Sequence, residues 1–290
     1  MLAAGMLQDP VLKAWLGGVV PAWMLLEQDS FDALRRPPAL SGGPLRLASD
    51  LTSEEVELCA FANGIATLLR GASQERGLKL TATGNLARSV VAELLDCFAW
   101  PGFDKAEALK FHKVVNEPDF APIFIGRQLI EAMGFVRKYK GHLRATPRGR
   151  AVIKDANLAA LPAMLFGLVI WQTDFGDVGP SFHGRWPQDH AGVVLWSLSM
   201  VAADWQPIER LTRLCTIPNR GVIEASWDSG TAALDVKILR SLLWFGMVER
   251  RLERIEGQPL GSRWLYRKTA LFDRLLTFSV RTQLDTATWH

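Results

Sequence analysis

Cysteine is scarce. The chain has three, Cys59, Cys97 and Cys215, among 290 residues. No C-x-x-C spacing occurs, which excludes a zinc ribbon and a redox dithiol, and an odd, widely spaced set is no disulfide framework. A reducing cytoplasm is the expected location. Charge of one sign is also lacking: the net charge is only +3. Nucleic-acid binding, if present, must therefore rest on local clustering and not on the chain as a whole. Long apolar runs are missing as well. Residues 11–26 are apolar, but Lys13 and Pro21 interrupt them and Asp9, not a basic cluster, precedes them. A membrane span needs about 20 apolar residues, and a secretory leader opens on positive charge. These residues are expected to form a helix packed on the body or on a partner, with no membrane association. Finally, no Ser/His/Asp signature, phosphate loop or dinucleotide fingerprint appears. The expectation is a protein that is not an enzyme, with no cofactor and no metal.

What is present is an ordinary globular balance, 49% hydrophobic and 22% charged, in a chain long enough for two or three small domains. Eleven tryptophans run from Trp15 to Trp289; scattered this widely, they suggest core anchors more than a single aromatic platform.

The most informative stretch is residues 134–154. Gly134 ends a helix, 135–139 alternates as a strand, Lys140-Gly141 turns, and 142–145 returns. Thr146 then has the chemistry of an N-cap, with Pro147 at the first helical position where a missing N–H costs nothing. This is the pattern of the wing in a winged-helix unit.

Around it the chain divides by punctuation. Residues 27–50, with Arg35-Arg36-Pro37-Pro38 and Ser41-Gly42-Gly43-Pro44, are expected as loop or linker. Thr52 and Glu55 have capping-box form and open a helix carrying Leu58, Phe61, Ile65 and Leu68 on one face. Further helices are expected from Leu86, from Asp104, and over 120–133. Residues 158–171 and 190–204 are apolar on most faces and predict a buried helical hairpin. After helices over 208–214 and 234–245, Gly246 stops the second and strands are expected over 247–255 and 262–267. Thr269 opens a closing helix through Phe278. The predicted class is mainly α with short β-hairpins (α+β), built as two or three winged-helix-like units around an apolar helical hairpin. Its expected domains are an arm and linker (1–50), units one and two (51–157), the hairpin (158–205) and a C-terminal unit (206–290).

The repeat rests on three phrases, 78–84, 143–149 and 266–272, each a bulky residue, a base, one further position and a Thr (Thr81, Thr146, Thr269) that can cap the next helix. A second match, 129–136 against 242–248, shares an apolar helix end, a Gly stop and a strand start. Residues 78–170 also resemble the helical region found downstream of the plasmid ORF-three-type domain in uncharacterised bacterial proteins. The residues that carry this are Leu80-Thr81-Ala82-Thr83-Gly84 and the run from Gly134-Phe135-Val136-Arg137 through Gly149. The resemblance covers about a third of the chain, implies a bacterial cytoplasmic origin and brings no activity.

Residues 135–154 hold Arg137, Lys138, Lys140, Arg144, Arg148, Arg150 and Lys154 with no acid among them. The C-terminal unit holds Arg250, Arg251, Arg254, Arg263, Arg267 and Lys268 against Glu249, Glu253 and Glu256. Basic wings touch phosphates because they displace condensed counterions. The 120–133 helix supplies only Arg127 and Gln128 as base readers, so little sequence preference is expected. The candidate interface is Arg127, Arg137, Lys138, Lys140, Arg144, Arg148, Arg250, Arg251, Arg254 and Arg263, of which Arg137, Lys138, Arg144, Arg250, Arg251 and Arg263 are expected on one continuous face if both wings meet a duplex. Against it stands a solvated hairpin surface. The loop residues Asp174, Asp177, His183, Arg185, Asp189 and His190 have no metal-site spacing and are expected as solvated groups or ion pairs. Cys59 and Cys97 are expected as buried thiols. Two classes of function stay open: a protein binding duplex nucleic acid through its wings, and a non-catalytic scaffold that meets itself or another protein through its apolar helices.

Overall fold

Short elements, each with an identifiable start and stop, make up the protein. The computed structural model describes residues 9–38, 43–173, 183–225, 228–255, 257 and 261–283. The class is mainly α with small antiparallel sheets. The described strands are β1 (Leu45–Leu47), β2 (Leu78–Lys79), β3 (Val136–Tyr139), β4 (His142–Ala145), β5 (Gln206–Pro207), β6 (Val248–Arg254), β7 (Ser262–Lys268) and β8 (Leu276–Phe278). They form a β1–β8 pair and two three-stranded sheets of order β2–β4–β3 and β5–β7–β6. Residues 49–165 make one compact unit; residues 1–48 and 166–290 make the other.

In the 49–165 unit, Thr52 accepts from the Glu55 N–H and Glu55 returns the bond to the Thr52 N–H, the expected capping box. The helix it opens is shorter than expected, Ser53–Glu57. Cys59 restarts the chain as Ala60–Ser73, its sulfur accepting from the Ala62 N–H, and the break leaves Leu58 63% exposed. Phe61, Ile65, Leu68 and Leu69 of that second helix are fully buried, as are Ile123 and Ile130 of the Ala121–Ala132 helix. Gly126 permits the close approach: a Cβ there would sit 3.0 Å from Leu68 Cδ1. Phe61 stacks on Trp100 with centroids 4.5 Å apart.

The β3–β4 ribbon forms as expected. Lys140 and Gly141 both have positive φ, 46° and 72°, the conformation of a two-residue turn whose twist matches the strands. Thr146 accepts from the Gly149 N–H at 3.1 Å and caps the Pro147–Val152 helix. A Cβ on Gly149 would overlap the Phe135 carbonyl, so only glycine lets that helix lie against the ribbon.

The other unit contains the expected apolar helices. Leu161–Gly167 straddles the boundary between the units and runs into a π-helical turn, Leu168–Gln172; Ala191–Val201 is nearly all buried. Phe166 meets Phe245 edge to face at 5.2 Å. The strand order β5–β7–β6 repeats β2–β4–β3, each with a helix-rich segment between its first strand and its hairpin.

Four expectations are corrected. Residues 27–50 are not all loop: Gln28–Leu34 is a helix and β1 pairs with β8, Leu45 opposite Phe278. Residues 276–278 are therefore a strand, and the helix after Thr269 is Ala270–Leu275. Both errors share a cause, since β1 and β8 are short segments whose pairing partners lie far apart along the chain. The phrase at 78–84 is no separate wing: β2 is the third strand of the same sheet, with Leu78 opposite Leu143. Thr269, expected as an N-cap, makes no side-chain cap; its hydroxyl donates to the Gly246 carbonyl at 2.7 Å. Thr146 makes the equivalent bond to Gly134 at 2.9 Å. The repeated Gly and Thr are thus the two ends of one clamp that closes the base of each hairpin.

Chain departure and return lie side by side. A Cβ on Gly167 would be 3.7 Å from Leu47 Cδ1, so residues 49–165 interrupt the other unit between neighbouring points.

Leu165 and Leu198 are fully buried, whereas Met200 is 53% exposed. Truncation to Ala is expected to cost roughly 2–5 kcal/mol at either leucine and within about 0.5 kcal/mol at Met200, read from urea denaturation midpoints.

Candidate nucleic-acid interface

The alternation of β3 and β4 sorts the basic residues by face. Arg137 lies opposite Arg144 and Tyr139 opposite His142, while Lys138 lies opposite the buried Leu143. Side chains two apart share a face. Arg137, Tyr139, His142 and Arg144 therefore line the outer face, and Lys79 of β2, opposite His142, extends it. Lys138 is on the other side, its ammonium 3.8 Å from Glu131. Gly77 (φ +71°) leaves room: a Cβ there would press on the Leu143 carbonyl and the Arg144 stem.

On that outer face three cations surround one ring. Arg137, Lys140 and Arg144 lie 5.6, 5.4 and 5.2 Å from the Tyr139 centroid. Among the described residues, none of Lys79, Arg137, Lys140 and Arg144 is in an ion pair. Arg148 lies over Phe135 at 5.3 Å and is exposed.

The β6–β7 hairpin is built on the same plan but neutralises part of its charge. Glu249 faces Arg267 and Glu253 faces Arg263 directly across the strands, with ion pairs of 3.0 and 2.7 Å. Arg251 and Arg267 both lie over Trp205, at 4.5 and 4.8 Å, and Arg250 lies over Trp264 at 4.4 Å. Arg254 is exposed opposite Ser262. Of the expected C-terminal phosphate contacts, Arg263 is thus already matched by a carboxylate. Glu256 lies outside the described residues.

Arg127 is the clearest correction. Expected as a base reader, it is buried, and its Nε donates to Glu117, which is 0% exposed. Its Nη1 donates to Glu131 at 2.8 Å. Burial alone would lower the Arg127 pKa; its hydrogen bond to Glu117 and the charges of Glu117 and Glu131 outweigh that and raise the pKa. Glu117 also accepts the Leu86 backbone N–H. The outward side of the Ala121–Ala132 helix presents Phe124, Gln128 and Ala132 to solvent, so one amide is its only exposed hydrogen-bonding side chain. In the other unit no residue of the 229–244 segment before the hairpin is exposed.

The loop candidates separate. His183 bonds Ser229 Oγ at 2.7 Å and its pKa is lowered by burial and by the Lys237 charge. His190 is lowered by burial and by Arg35, and Arg185 pairs with Asp189 at 3.3 Å. Asp174 and Asp177 lie outside the described residues. Among the described residues no three His, Cys, Asp or Glu are grouped to hold a metal, and no helix is long and apolar enough to cross a membrane. Cys59 is buried and desolvation pushes its thiol up to about 12; Cys97, expected buried, is exposed.

The fold thus defines a mainly α protein with two sheets of repeated topology, one of which carries four basic residues with no ion pair among the described residues. Residues 57–158 match the family model described as the Y4jL N-terminal domain. Over 106 residues the chain is 29% identical to the uncharacterized protein y4jL of Sinorhizobium fredii (strain NBRC 101917 / NGR234), covering 37% of this chain and 47% of that protein. The chain therefore spans about half the length of the curated relative it matches. The matched stretch falls inside the 49–165 unit and is similar to an uncharacterised bacterial domain family. No solved structure matches.

Replacing Arg127 by Met should strand the Glu117 carboxylate in the interior and cost roughly 3–5 kcal/mol. The Glu117→Gln, Arg127→Met double variant should recover part of that loss, as measured by a double-mutant cycle in urea.

Proposed function

We propose that both units are of winged-helix type and that the 49–165 unit binds nucleic acid through the outer face of its sheet, mainly to phosphates and with little sequence preference. The observation that carries this is the contrast between the hairpins. The β6–β7 hairpin pairs two of its arginines, Arg267 and Arg263, with Glu249 and Glu253, whereas Lys79, Arg137, Lys140 and Arg144 have no acid partner among the described residues. Uncompensated cations gathered on one face are the electrostatic footprint of a polyanion site. The poverty of the Ala121–Ala132 helix in base readers supports contact to the backbone more than to base edges. The winged-helix assignment is supported by the order of elements: helix, short strand, helices, hairpin, with the first strand on the hairpin's returning strand.

A scaffold role has one observation in its favour. The Lys105–Phe111 helix buries no residue, and Phe111 is 79% exposed beside Leu109 and Val114. Such a patch suits a protein partner better than a phosphate.

The two are separated by fluorescence anisotropy with generic DNA across a salt series. Under the proposed function log K falls linearly with log salt, and the Arg137→Glu, Arg144→Glu double variant flattens the slope by about 0.7–0.9 for each lost contact. Absence of binding at low salt would remove nucleic-acid binding and leave the scaffold role.

A further inference from the structure

We infer that the ligand of the β2–β4–β3 face is single-stranded nucleic acid, with Tyr139 as a stacking platform for a base; this rests on the nucleic-acid-binding function proposed above. Three observations converge. First, Tyr139 stands 41% exposed at the end of the sheet, in the middle of the cations and not beside them. A duplex keeps its bases stacked inside, so an exposed ring gains little from it, whereas a single strand offers every base face. Second, the unit has little to insert into a groove. Phe124 and Ala132 flank the lone Gln128 on the exposed side of the Ala121–Ala132 helix, and seating an apolar stripe against base edges leaves their donors and acceptors unmatched.

Third, the face is arranged as a track. Lys79, His142 and Tyr139 form one row across the three strands, and Arg144 and Arg137 form the next, with Lys140 at the turn. Neighbouring strands are about 4.8 Å apart and same-face residues on one strand about 6.8 Å. That spacing lets a flexible backbone place consecutive phosphates against Arg144, Arg137 and Lys140 while one base covers Tyr139. Three like charges around one ring repel each other in the free protein, and a bound phosphate chain relieves that repulsion. The chemistry required of the ligand is a flexible polyphosphate backbone carrying accessible aromatic bases, which DNA and RNA single strands share.

The test uses the full chain and fluorescein-labelled oligomers of about 12 nucleotides, a length within known single-strand site sizes: oligo(dT), oligo(U) and a mixed-sequence duplex. Single strands should bind at least about tenfold more tightly than the duplex. Tyr139→Ala should weaken single-strand binding about tenfold and leave duplex binding unchanged, and Tyr139→Trp should restore it. Because the side chain is half exposed, unchanged circular dichroism and melting are expected for both variants. Equal affinity for the two deoxy- and ribo-oligomers supports a shared backbone-and-base site; a tenfold preference for oligo(U) supports it with RNA as the source, through the 2′-hydroxyl. Duplex binding equal to or tighter than single-strand binding, or an Ala variant indistinguishable from wild type, overturns the single-strand inference while phosphate binding stands. Failure of all three oligomers to bind at low salt overturns both.

Discussion

A carboxylate with no exposed surface holds the 49–165 unit in register. Glu117 accepts from the Leu86 backbone N–H and from the Arg127 guanidinium, so one side chain joins the loop after β2, the turn at 117–119 and the Ala121–Ala132 helix. Two charges removed from water are tolerable only with such geometry and with their remaining hydrogen bonds made. Glu131 takes part of the Arg127 fork and also faces Lys138. Lys138, on the opposite face from Arg137, keeps its side chain 56% exposed beside Glu131.

One connectivity occurs twice and is put to different electrostatic ends. In both units a glycine stops a helix, a hairpin follows, and a threonine hydroxyl ties back to that glycine's carbonyl. Above that shared base the hairpins diverge. Directly opposed Glu–Arg pairs on β6 and β7 satisfy each other, and opposite charges across strands contribute roughly 0.2–1 kcal/mol each. On β3 and β4 arginine faces arginine, an arrangement that is unfavourable in isolation and is eased here by the Tyr139 ring between them. The 229–244 segment, buried or half-buried throughout, is mostly core, whereas its counterpart at 121–132 keeps one side in solvent.

The continuity of residues 49–165 matters for how the chain is organised. They contain the stretch that matches a bacterial domain model, and they interrupt the other unit between Leu47 and Gly167, where a Cβ on the glycine would lie 3.7 Å from the Leu47 side chain. Close ends are the condition under which one domain can sit in a loop of another without disturbing it. The β1–β8 pair ties the Leu47 end to residues 276–278 of the same unit, which gives two short strands a structural role that their length does not advertise.

Local chemistry was legible in the sequence. The Thr52–Glu55 capping box, the Lys140-Gly141 turn, the Thr146 cap and the apolar 191–201 helix follow from interactions within a few residues, or from composition so apolar that burial has no alternative. The repeated Gly and Thr phrases were visible too, although their hydrogen bond was not. What the tertiary structure decided were the partners. Whether Leu78–Lys79 is a wing or a third strand depends on Leu143, far along the chain. The same holds for β1 and β8. Arg127 carries the same charge in the sequence as Arg137, and only the buried Glu117 ten residues away makes the first structural and leaves the second free. Arg263 and Arg144 likewise differ only in what stands opposite, a glutamate or another arginine. A charged side chain's role is set by its neighbours in space, because desolvation and pairing act over a few ångströms, and the order of residues along the chain does not say which neighbours those will be.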